Sequence, residues 1–177
     1  MGDREKVNGA WNNAFSTKKL ALSAVVGAAY LVLTIAFLPI SFGPVQCRIS
    51  EALCVLPFYF PSTAWGLFVG CFLSNLIGGY GVLDLVCGSL ATLLAALCTA
   101  RIGIKWLAPL PPVLWNGVII GAMLAYVGSP ANFWEAFGLY GAQVAAGELA
   151  ACYILGLPLL LVLPKLSVFP ALREKYR

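Results

Sequence analysis

A chain of 177 residues that is 61% hydrophobic and 10% charged is too apolar for a soluble domain, where about a quarter of residues carry charge. It has no histidine, which excludes histidine-based triads, metalloprotease helices and most transition-metal handling. The formal charge of +4 is scattered over short flanks, which points to lipid headgroups and topology and away from nucleic acid.

The first eighteen residues (MGDREKVNGAWNNAFSTK) are polar and lack the apolar core of a signal peptide, so the first apolar run is read as a retained helix. That helix runs from Lys19 to Leu38 and stops at Pro39. Ala24 and Ala28 stand four apart on it, with Ala21 a turn earlier on nearly the same face. Such a seam of small residues lets another helix approach closely, either within this protein or from a partner. Residues 39–50 form a loop that opens a short second helix near Ser50, interrupted by Pro57 and Pro61. Broken helices at membrane depth require a protein-lined cavity to satisfy the freed backbone groups.

The third helix, about Ala64 to Ile77, carries Gly66, Gly70, Ser74 and Gly78 at four-residue spacing, and the turn GGYG follows. The fourth spans about Leu83 to Thr99, with Asp84 in its first turn, where an acid suits the helix dipole. The fifth, about Pro112 to Tyr126, has Gly117, Gly121 and Ala125 as another small-residue seam. The loop GSPANFWEAF leads into the last helix, about Phe137 to Leu163. Helices of roughly 20 residues cover a hydrocarbon core of about 30 Å. The expected architecture is therefore an all-α bundle of six transmembrane helices over residues 19–165, between tails at 1–18 and 166–177.

Ten of the eleven basic residues fall in three stretches. Arg4, Lys6, Lys18 and Lys19 precede the first helix, Arg101 and Lys105 share one middle gap, and Lys165, Arg173, Lys175 and Arg177 follow the last. Six crossings put all three clusters on one face, which the positive-inside rule makes cytoplasmic together with both termini. Arg48 is left alone on the far side beside Glu51, a place for a ligand unless the two simply pair at their three-residue spacing.

Glu148 is the strongest single candidate. Eleven residues beyond Phe137, it lies about 16 Å into the last helix, near the bilayer middle. An ionisable group at that depth is costly unless paired or facing a wet cavity. Tyr140, Gln143, Val144, Gly147, Glu148 and Ala151 share a sector of about 140°, a face resembling a pocket wall. Asn75 and Asn116 are amides in apolar helices, suited either to interhelical bonding or to reading a polar ligand edge. The six cysteines lack C-x-x-C spacing and read as small membrane-helix residues rather than a disulfide or zinc framework. There is no P-loop and no nucleophile–base constellation, so neither an enzyme nor a cofactor is expected.

Residues 48–99, above all RISEALCVLPF and GLFVGCFLSNLIGGYGVLD, closely resemble the QueT family of queuosine-precursor transporters, and the resemblance extends over most of 19–165. It implies the substrate-binding (S) component of an energy-coupling factor transporter, capturing a 7-deazaguanine such as queuine or its aminomethyl precursor on the extracellular side. It also implies a transmembrane T-subunit and two ABC-type ATPases as partners, and matches Ala24 and Ala28 to the A-x-x-x-A motif that docks S-components on the T-subunit. A deazaguanine offers an N1–H and an exocyclic amine to a carboxylate, a carbonyl to an amide or Arg, and flat faces to Tyr or Trp. On those grounds Glu148, Gln143, Tyr140, Arg48, Glu51, Asn75, Asp84 and Asn116 are the candidate ligand residues. The competing readings are an S-component for another flat heterocycle and a non-transport membrane scaffold.

Overall fold

The computed structural model describes residues 16–41, 48–79, 81–167 and 169–176, the side chains of residues 173, 175 and 176 excepted. The readings made above for the polar tail up to residue 15, for residues 42–47 of the first loop with Cys47, and for the last basic side chains lie outside the described residues. All regular structure among the described residues is helical. Four helical stretches are long and apolar enough to cross a membrane, and two shorter apolar helices, Ile49–Phe58 and Thr63–Gly78, lie between the first and second of them.

Helix α1 (Thr17–Ala36) starts under a Ser16 cap whose hydroxyl accepts from the Lys19 N–H at 3.4 Å. It ends at Phe37, and one further helical turn, Leu38–Ser41, holds Pro39, which cannot continue the α1 ladder. Helix α2 (Thr63–Gly78) crosses α1 at backbone contact. A Cβ at Gly66 would stand 1.9 Å from the Ser23 carbonyl oxygen, and one at Gly70 would stand 2.5 Å from that of Gly27. The Ser23 hydroxyl also donates to the Ser62 carbonyl at 2.6 Å. The inward face of α1 is thus Ser23, Gly27, Tyr30 and Thr34, whereas Ala21, Ala24 and Ala28 are exposed. Among the described residues α2 therefore meets α1 one face away from the alanine seam.

Between α1 and α2 the chain forms a ten-residue 3₁₀ helix, Ile49–Phe58, containing Pro57. Such runs rarely exceed about four residues on their own, so tertiary packing must hold this one. At about 2 Å per residue it spans roughly 20 Å, short of the hydrocarbon thickness of about 30 Å. Ser50, Glu51, Ala52, Cys54, Val55 and Pro57 are its buried side.

Helix α3 (Val82–Thr99) follows the turn whose Gly79 and Gly81 have φ of 71° and 111°, a conformation side chains resist. Helix α4 (Leu110–Gly128) and helix α5 (Phe133–Leu149) form the other close pair. A Cβ at Gly121 would stand 2.5 Å from the Gly141 Cα, and one at Gly117 would stand 3.2 Å from the Ala145 Cβ. After α5 the helix widens to a π form over Ala150–Gly156, then resumes as α6 (Leu157–Val162). A Cβ at Gly156 would meet the Ala52 carbonyl oxygen at 3.0 Å, so the π segment lies directly on the 3₁₀ helix. The two irregular helices therefore support each other in the middle of the bundle. The C-terminal helix α7 (Phe169–Tyr176) returns Phe169 against Tyr59 and Phe60, with ring centroids 5.0 and 6.1 Å apart.

Candidate ligand-binding site

Around those two irregular helices the apolar bundle encloses a polar core. Arg48, Glu51, Asn75, Asp84, Asn116 and Glu148 are all buried, none more than 4% exposed. Three carboxyls and one guanidinium thus share a low-dielectric interior, where charge is tolerated only when paired, hydrogen-bonded or matched by a ligand.

The end of this core near the α2–α3 turn is built on Asp84. Arg48 Nη2 approaches Asp84 Oδ1 at 3.4 Å, so the guanidinium reaches across to α3 for its ion pair. Arg48 also lies within electrostatic reach of Glu51, whose carboxyl is bonded from α1. Asn75 Nδ2 donates to the Asp84 carbonyl at 3.1 Å and joins the end of α2 to the start of α3. Gly88, one turn into α3, makes room for both: a Cβ there would stand 2.6 Å from Asn75 Nδ2 and 3.5 Å from Arg48 Nη1. Asp84, in the first turn of α3, is therefore buried and ion-paired.

Glu51 forms the centre. Its Oε1 accepts from Tyr30 Oη at 2.5 Å and from Thr92 Oγ1 at 3.0 Å, and its Oε2 accepts from Cys54 Sγ at 2.9 Å. The single Thr92 proton goes to Glu51, leaving the hydroxyl's lone pairs toward the Cys71 thiol at 3.3 Å. Cys71 also receives longer contacts from Arg48 Nη1 at 3.7 Å and Asn75 Nδ2 at 3.6 Å, which link the centre to the Asp84 end. On the other side Cys152, in the π segment, lies 3.5 Å from the Glu51 carbonyl and 3.7 Å from Glu148 Oε2, with one S–H proton for the two acceptors. Glu148 precedes the π turn by two residues and lies within electrostatic reach of both Glu51 and Arg48. Asn116 on α4 approaches the Glu148 carboxyl, yet its Nδ2 completes no hydrogen bond among the described residues.

Six of the eight candidate side chains thus meet in one core. Tyr140 and Gln143 are half-buried on the earlier turns of α5, with the Tyr140 ring over Gly128, where a Cβ would stand 3.4 Å from the phenol oxygen. Sequence reasoning passed over Tyr30, Thr92, Gly88, Cys54, Cys71 and Cys152. Tyr30 had a signal: Ser23, Gly27, Tyr30 and Thr34 repeat at four, three and four residues, a polar and small stripe on an apolar helix. The cysteines had none, since a buried thiol and a small packing residue look alike in sequence.

Chemically, the core is rich in acceptors. It suits a ligand that brings several N–H donors, or a positive charge, into a dry interior.

A family profile described as QueT transporter matches residues 20–165. A protein of Lactococcus lactis subsp. cremoris (strain MG1363) named Queuosine precursor transporter QueT is 33% identical over 79 residues, which are 44% of this chain and 46% of that protein. The aligned stretch thus spans about half the length of that relative. No solved structure matches the chain.

Proposed function

This chain belongs to the QueT transporter family, and we propose that it is the substrate-binding component of an energy-coupling factor importer for a 7-deazaguanine of the queuosine pathway. In this reading the chain crosses the cell membrane six times with both termini cytoplasmic, takes the base from the extracellular side, and hands it inward when a T-subunit and two ATPases supply the energy. It performs no chemistry on the base.

The observation that carries the reading is the buried acid-rich core: three carboxyls against one guanidinium, enclosed by apolar helices. Hydrogen-bond accounting divides their roles. Glu51 already accepts from three protein donors and shapes the site. Glu148 receives a long thiol contact and keeps acceptor capacity for the N1–H and exocyclic amine of the base. Asn116 Nδ2, lacking a hydrogen-bond acceptor among the described residues, is placed to donate to the ring carbonyl beside it. A ligand so held relieves a buried charge and an unsatisfied donor at once.

Titration of the purified full chain with queuine, guanine and riboflavin tests the reading. Saturable binding of the deazaguanine, tighter than guanine by tenfold or more and with no riboflavin binding, is the expected result, about 1.4 kcal/mol of discrimination. Absence of saturable deazaguanine binding overturns it and leaves a packing role or another heterocycle. Uptake into cells should in addition require an intact partner ATPase.

A further inference from the structure

The 3₁₀ helix that carries Glu51 keeps its form through what packs around it, since such runs rarely exceed about four residues on their own. At one end Arg48 is ion-paired to Asp84 on α3 at 3.4 Å. Along the middle, Gly156 of the π segment backs onto it, where a Cβ would stand 3.0 Å from both the Ala52 carbonyl oxygen and Val55 Cγ1. At the other end the Tyr59 hydroxyl donates to the Leu160 carbonyl at 3.3 Å. There Phe169 also lies edge-on to Tyr59 and Phe60, at ring-centroid distances of 5.0 and 6.1 Å.

These supports differ in how easily they can be withdrawn. Asp84 and Gly156 belong to long helical stretches of the bundle. Phe169 opens an eight-residue terminal helix: it is buried, whereas Pro170, Ala171 and Glu174 beyond it are exposed. A single turn seats it, its N–H bonding the Leu166 carbonyl at 2.9 Å. Without that support the segment is free to wind as α, at about 1.5 rather than 2.0 Å and about 100° rather than 120° per residue. Pro57 stops α winding at the residue before it, so residues 49–56 would shorten by about 4 Å. With Arg48 pinned, Glu51 three positions on would turn by about 60°, away from Tyr30 and Thr92, which both donate to its Oε1.

We propose that the C-terminal helix is a release latch: Phe169 seated on Tyr59 and Phe60 keeps the 3₁₀ helix in its ligand-holding form, and withdrawal of Phe169 lets that helix rewind and turn Glu51 out of the core. This rests on the reading of the buried core as the binding site. In the proposed topology the latched end faces the cytoplasm, the side to which the base is delivered. Phe169 is thus a positioning residue, acting on the core through a helix about 20 Å long.

The test pairs amide hydrogen exchange with queuine binding kinetics on the purified full chain, native and Phe169→Ala. Amides of Ile49–Phe58 should exchange about tenfold or more faster in the variant, the scale of losing two edge-on ring pairs, while those of Leu110–Gly128 keep their native rates. Queuine should dissociate about tenfold faster, with its association rate changed by no more than about twofold. Exchange that speeds up equally in both stretches is a plain loss of stability and overturns the latch. Faster exchange confined to Phe169–Tyr176 overturns it too, as does an unchanged dissociation rate. If the native chain binds no queuine, the reading of the core falls, and the exchange pattern still decides whether Phe169 holds the 3₁₀ helix. Should Phe169→Ala not fold, Phe169→Leu, which keeps an apolar side chain but no ring, is judged by the same pattern.

Discussion

The Tyr30 hydroxyl on α1 donates to Glu51 Oε1 on the 3₁₀ helix at 2.5 Å, with both side chains fully buried. This bond ties the first long helix to the irregular segment that carries Arg48 and Glu51. Tyr30→Phe keeps the ring and its packing but leaves a buried carboxyl short of a donor. A hydrogen bond to a charged group contributes about 1.5–3 kcal/mol, so the variant should lose roughly that much stability. Thermal unfolding in detergent, compared with the exposed control Tyr126→Phe, measures it. An unchanged unfolding midpoint would mean that Glu51 is held well enough by Thr92 and Cys54 alone.

The crossing of α1 and α2 sets a second expectation. Gly66 has no room for a methyl group, because its Cβ would lie 1.9 Å from the Ser23 carbonyl and backbone cannot yield as a side chain does. Gly66→Ala should therefore force the helices apart, lower the yield of folded protein and cost on the order of 1–3 kcal/mol or more, as overpacking does. Gly138→Ala on α5 serves as the comparison, since nothing lies within 4 Å of a Cβ there. Equal yields for the two variants would contradict the described crossing.

The helices themselves were legible in the sequence, because each is an apolar run punctuated by proline, glycine or charge. The Val82–Thr99 helix begins one residue from the expected start, and its GGYG turn uses glycines where positive φ demands them. The expected break at Pro57 and Pro61 was visible too, though a proline says only that an α-helix is disturbed. It does not say that ten residues will wind as 3₁₀. The π segment was hidden for a related reason: its AACYILG sequence is compatible with an ordinary helix, and only the pressure of Ala52 and Val55 on Gly156 marks it. Among the residues of the buried polar core, charge in an apolar setting singled out Arg48, Glu51, Asp84 and Glu148. The partnerships did not follow, because Arg48 pairs with Asp84, 36 positions along the chain.

Topology is open to a direct check. With both termini cytoplasmic, a cysteine placed at Lys105 or Lys165, both exposed, should be unreactive toward impermeant thiol reagents in intact cells and reactive in inverted vesicles. The native cysteines are replaced first, Cys87 and Cys98 in particular, since they are only half-buried. Labelling of either position from outside would invert or break the six-span arrangement.

The exposed alanine face gives a prediction that separates binding from transport. Ala21, Ala24 and Ala28 point away from the bundle, while Ser23 and Gly27 on the adjacent face hold α2. Ala24→Trp or Ala28→Trp should therefore leave folding and ligand affinity of the isolated chain within about threefold, since neither touches the core. If a T-subunit docks here, the same ring blocks close helix approach and should abolish uptake. Loss of affinity together with uptake would place the seam inside this protein, and full uptake would place docking elsewhere.

Glu148 carries the last expectation. With the last helical stretch running from Pro130 to Lys165, Glu148 falls near its middle, as far from either end as the chain allows. Its carboxyl takes fewer protein donors than that of Glu51, with a 3.7 Å contact from the Cys152 thiol and the Asn116 amide nearby. Glu148→Gln keeps the size of the side chain and removes one acceptor oxygen and the charge. Truncating one side of a buried charged pair costs about 2–5 kcal/mol, and each 1.4 kcal/mol is about tenfold in affinity. Deazaguanine binding should weaken roughly thirtyfold or more. Glu135→Gln, exposed in the first turn of α5, should change binding little. Glu51→Gln makes the informative contrast: it disturbs three protein donors and should lower stability before it alters ligand preference. If instead Glu148→Gln binds the base normally and Glu51→Gln abolishes binding in a folded protein, the base is read by the 3₁₀ helix, and the roles given to the two acids are reversed.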